Sequence, residues 1–186
     1  MSLLGFAQWL AETPGSIALH ESQYMYSIVE GSHVLMLCLF LGTLVILDLR
    51  MLGLMLRNVS VGEVAARVLP WTFVGFAFMV VTGILLFYAI PVRSYQSVFF
   101  RLKVILLIVA GLNAWHYHRK AHRTVDQWGA AAKPPKSVRV SAMVSLTTWT
   151  IVIFAGRFIA YNWFDCELQP QPAFVNWFAG CVVESE

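Results

Sequence analysis

Apolar residues gather in four long stretches of this chain, each broken at only a few positions by a charged or strongly polar side chain. The first, residues 24–57 (YMYSIVEGSHVLMLCLFLGTLVILDLRMLGLMLR), well exceeds the roughly 20 residues a membrane-spanning helix needs. A second begins at Pro70 (PWTFVGFAFMVVTGILLFYAI) and is ended by Pro91. A third covers residues 98–118 and a fourth residues 140–163. Between them the pattern predicts a short polar loop over residues 58–69 and a tight turn at 92–97. A longer polar stretch, RKAHRTVDQWGAAAKPPKSVR, is marked as loop by Pro134-Pro135. Residues 1–22 are too short to span and are interrupted at Thr13-Pro14-Gly15. They read as a short helix lying in the membrane interface and anchored by Trp9. The expected fold is an all-α membrane protein, a four-transmembrane-helix bundle. Residues 1–22 form its interfacial segment, 23–163 its transmembrane domain and 164–186 its tail.

Composition agrees. Of 186 residues, 59% are hydrophobic and only 12% charged, against about a quarter charged in soluble domains. No basic patch with interleaved aromatics points to nucleic acid. The N-terminus lacks the basic start and small-residue cleavage site of a secretory signal, so it is expected to be retained.

The formal net charge of +3 matters less than where the cations fall. Arg50, Arg57 and Arg67 lie around the first connection. Arg119, Lys120, Arg123, Lys133, Lys136 and Arg139 crowd the third. The opposite side carries Glu12 and Glu21, Arg93 in the second turn, and Asp165, Glu167, Glu184 and Glu186 in the tail. The positive-inside bias therefore places both termini outside. Cys166 and Cys181 then share an oxidising compartment and are expected to pair, while Cys38 reads as a small packing residue.

Charged groups on a spanning helix are costly and normally face a protein interior or a watery cavity. Glu30, His33, Leu37, Leu44 and Asp48 share one stripe of the first span at helical spacing. Gly31, Cys38 and Gly42 form a small-residue face that would let another helix approach closely. At about 1.5 Å per residue, His33 lies roughly 9 Å below the outer surface, Lys103 roughly 8 Å and Arg157 roughly 9 Å. Glu30, His33, Lys103 and Arg157 can thus form one outer polar layer. Asp48, Arg50, Asn113 and His116 define a second, inner layer, with His116 about 27 Å from the outer surface. One haem iron needs its axial nitrogens about 4 Å apart, so His33 and His116 are not expected to share one. The plainer readings are a solvated helix end with a local ion pair for Asp48 and Arg50, and interfacial histidines for His116, His118 and His122. For His33 it is a structural hydrogen bond to Glu30 or Arg157, and for Lys103 a snorkelling side chain.

The stretches ESQYMYSIVEGSHVLMLCLFLGTLVILDLRMLGL, LPWTFVGFAFMVVTGILLFYA, FRLKVILLIVAGLNAWHYH and AGRFIAYNW resemble an uncharacterised family of four-span bacterial inner-membrane proteins. More remotely, the pattern is similar to the four-helix membrane protoporphyrinogen oxidases and the copper-resistance D-type membrane proteins. There a histidine in the first span, matched by His33, and a lysine starting the third, matched by Lys103, recur. The resemblance to the oxidases implies haem b. The leading expectation is therefore a b-type haem site on the outer side, with His33 as axial ligand. Lys103 and Arg157 would neutralise propionates, or Lys103 would supply a second ligand, with Glu30 alongside. Electrons would pass to or from quinone or a periplasmic partner. A copper or other cation carrier using Glu30, His33, Met25 and Met36 is the alternative. A non-catalytic subunit packed in a membrane complex, or a homo-oligomer, is the third.

Overall fold

In the structure, a computed structural model, residues 2–120, 124–161, 163–167 and 169–181 are described. His122, Arg123, Glu184 and Glu186 lie outside them. The described residues form nine helices and no strand. These are α1 (Leu3–Ala11), α2 (Pro14–Glu21), α3 (Gln23–Leu52), α4 (Val61–Ala89), α5 (Pro91–Tyr95), α6 (Val98–Lys120), α7 (Val125–Trp128), α8 (Lys136–Ile159) and α9 (Ala173–Ala179). Helices α3, α4, α6 and α8 are long and apolar enough to cross a membrane, which matches the four stretches read from the pattern.

The boundaries differ in instructive places. The polar loop expected over residues 58–69 is mostly helix, because α4 starts at Val61. Ser60 Oγ accepts the Glu63 backbone N–H at 3.1 Å, so Ser60-Val61-Gly62-Glu63 opens the helix as a serine cap with an acidic third residue. Val61 and Val64 then bury themselves beside Leu47 and Met51 of α3 and Val138 and Ala142 of α8. Pro70 therefore falls inside α4 rather than at its start. The N-terminal segment is two helices, each capped by a hydroxyl: Ser2 on Gly5 N and Thr13 on Ser16 N. The expected turn at 92–97 is largely the short helix α5, begun by Pro91 at its first turn, where a missing N–H costs nothing.

The chain divides into two compact units, and each long helix contributes to both. One unit comprises residues 1–33, 80–105 and 152–186, and the other residues 34–79 and 106–151. In the second unit, Phe40 of α3 meets Phe76 of α4 and, edge to face at 4.7 Å, Trp149 of α8. Gly75 brings α4 so close to α3 that an added Cβ would lie 2.9 Å from the Phe40 backbone nitrogen. Among the described residues no helix approaches closely at Gly31 or Gly42, where an added Cβ would meet nothing within 4 Å, and Cys38 is exposed. Gly75 of α4 instead makes a close helix-to-helix contact.

In the first unit, Thr13 Oγ1 lies 2.8 Å from the Tyr88 hydroxyl, and Ser16 Oγ donates to the Tyr88 carbonyl. Those bonds fix α2 against the end of α4. Cys166 and Cys181 are joined, as their shared position in the tail predicts. The loop they close holds α9, which ends at Gly180 with φ +71°, a left-handed conformation suited to glycine.

Candidate functional site

In the first unit, His33 stands on α3 with its Nδ1 2.8 Å from Thr82 Oγ1 on α4. Thr82 is buried, and Gly83 follows it. A Cβ at Gly83 would sit 3.4 Å from the His33 ring, so the glycine leaves the imidazole its room. The hydrogen bond fixes the orientation of the ring. Lys103, half-buried on α6, brings its Nζ within 3.6 Å of where a Gly156 Cβ on α8 would be. Arg157, the next residue, is exposed and lies over the Tyr161 ring at 5.2 Å. Glu30 is exposed one turn before His33. Among the described residues no ion pair joins Glu30 to Lys103 or Arg157. The four candidates thus belong to one unit, with His33 and Lys103 inward and Glu30 and Arg157 outward.

The partner of His33 was not among the candidates. A threonine inside an apolar run, followed by glycine (VVTGIL), was the available signal. The same holds on α8, where Ser141, Ser145 and Thr148 recur at helical spacing and all are buried.

In the second unit, the reading of Asp48 and Arg50 as a solvated, ion-paired helix end is overturned. Their relative exposures are 1% and 0%. Lying two residues apart, about 200° around the helix, they face different partners. Arg50 Nε donates to the Val59 carbonyl at 2.7 Å, and Nη2 to those of Gly129 and Ala131, each at 3.1 Å. Its charge is thus spread over loop carbonyls, not set against a carboxylate. The Asp48 carboxyl has Ser145 as its hydrogen-bonding neighbour, and its Oδ2 has no partner among the described residues. Asn113 pairs with Ser141 of α8. His116 and His118 are exposed on α6. Among the described residues, no three His, Cys, Asp or Glu side chains converge as a metal site.

Four apolar helices with polar groups held between them define a multi-pass helical membrane protein in contact with lipid. The chain belongs to a family of unknown function, DUF6644, whose model matches residues 9–162. No curated protein and no solved structure shows a significant match.

Proposed function

We propose that this protein is a bacterial inner-membrane protein with both termini in the periplasm. Its outer half would bind a b-type haem through His33 and serve membrane electron transfer. The orientation rests on the placement of Lys and Arg and agrees with a disulfide in the tail, which an oxidising compartment favours.

One observation carries the haem reading: the Thr82 hydroxyl anchors His33 Nδ1 between two spans. Metal-binding histidines have their second nitrogen held in this way, which fixes ring orientation and basicity. The donor set also suits haem better than a bare cation. A porphyrin brings four nitrogens of its own, so the chain need supply only one or two ligands. A bare zinc ion needs about three or four protein ligands. Lys103 is a half-buried cation of the same unit that would suit a propionate or the second axial position, and the exposed Arg157 would suit a propionate. When bound, haem supplies one-electron chemistry, and its partner would be quinone or a periplasmic redox protein.

A reduced-minus-oxidised spectrum of protein purified after expression with ample haem tests this. A Soret band is expected, abolished by His33→Ala, weakened or shifted by Thr82→Val, and largely retained by His116→Ala. Loss of pigment in His116→Ala alone would move the site to the inner half. A colourless wild-type protein would discard the haem and direct elemental analysis to copper.

A further inference from the structure

We infer that α9 is a second membrane anchor, seated with Phe174 and Trp177 in the boundary between lipid headgroups and acyl chains. The helix reads AFVNWFA, without a single charge. Val175 and Ala179 are buried against the first unit, whereas Phe174 is 63% and Trp177 77% exposed. Two large aromatic rings held outward on a seven-residue helix would be costly to leave in water. Trp at that level of a membrane protein is instead favoured, its apolar body among acyl chains and its indole N–H among headgroups.

Depth supplies the independent argument. The guanidinium of Arg101 donates to the carbonyls of Phe178 and, at 2.8 Å, Ala179, the last turn of α9. Gly180 leaves room for it, since a Cβ there would come within 3.0 Å of Nη2. Arg101 is the fourth residue of α6, a helix long and apolar enough to cross the bilayer. At about 1.5 Å per residue its Cα lies roughly 5 Å inside the start of that span. The last turn of α9 is therefore tied to the interfacial level of a spanning helix, and its exposed aromatic rings would meet the boundary there. Trp163 and Phe164, just beyond α8 in the same unit, are exposed as well. None of this depends on the haem reading.

The test uses the full chain in phosphatidylcholine vesicles containing a diazirine-bearing phospholipid. After photolysis and digestion, lipid adducts are expected on the peptide carrying Phe174 and Trp177, as on that carrying the exposed Trp71 of α4. A labelled Trp71 peptide with an unlabelled α9 peptide would overturn the inference. A nitroxide at Trp177→Cys, in a Cys38→Ser background kept from reductant, gives a second readout. Relaxation by oxygen but not by a water-soluble nickel chelate is expected. Relaxation by nickel places α9 in water and overturns the inference. Protection from both places it against another protein, such as a second copy of the chain, and overturns it equally.

Discussion

Asn113 of α6 and Ser141 of α8 bond each other twice: Asn113 Nδ2 donates to the Ser141 carbonyl, and Ser141 Oγ donates to Asn113 Oδ1, both at 3.0 Å. The serine is buried, so neither helix can turn about its axis without leaving a polar group unpaired in apolar surroundings.

Replacing Asn113 by Leu should therefore lower stability by about 1 kcal/mol, the scale of hydrogen bonds between membrane helices. Ser141→Ala should cost less, because the carbonyl acceptor remains. Unfolding of both single variants and the double variant in mixed detergent measures the coupling. Strictly additive losses would mean the pair is not a unit.

Arg50 should be far more sensitive. Arg50→Ala strips the donor from three carbonyls at once, a loss of about 3 kcal/mol or more. Arg50→Lys should recover only part, since an ammonium lacks the planar fork that reaches all three. Thermal unfolding gives the ranking, and limited proteolysis between α6 and α8 should accelerate in the same order.

The two glycine environments predict opposite signs. At Gly75 a larger side chain meets the Phe40 backbone, so Gly75→Val should destabilise by about 1–3 kcal/mol through overpacking. Gly42 has open space around it, so Gly42→Ala should be neutral or stabilise by up to about 1 kcal/mol through helix propensity. Equal losses at both sites would show that another chain covers the Gly42 face.

Orientation is checked with single cysteines at Lys133 and Gln171 in a background lacking the native ones. An impermeant thiol reagent added to intact cells should label Gln171→Cys and leave Lys133→Cys unmodified. The reverse pattern inverts the protein. Labelling at both sites breaks the four-span arrangement.

The spans were legible because about 20 apolar residues in a row admit few other structures. The start of α4 was less so. Pro70 looked like a first turn, and the cap that begins the helix lies ten residues earlier in a segment with Glu63 and Arg67 on its surface. Only the burial of Val61 and Val64 against α3 and α8 shows why that polar-looking segment is helix. Among the site residues, spacing placed Glu30, His33, Lys103 and Arg157 at one level, and all four fall in one unit. Spacing within one helix could not reveal Thr82 as the neighbour of His33, because that contact joins residues 49 apart. The fate of Asp48 and Arg50 was hidden for the same reason. A charge near a helix end looks solvated until the loops that cover it are in place.

Those loops impose an order of events on the growing chain. The acceptors of Arg50 at Gly129 and Ala131 lie 79 and 81 residues downstream, beyond two further spans. While the first span enters the bilayer they have not yet been synthesised, and of the three acceptors only the Val59 carbonyl is close at hand. The guanidinium can withdraw into its carbonyl cage only after the third span has been delivered. A truncated chain ending before residue 129 should therefore hold Arg50 in the aqueous boundary. The end of the second unit that holds Arg50 closes late in the synthesis of the chain.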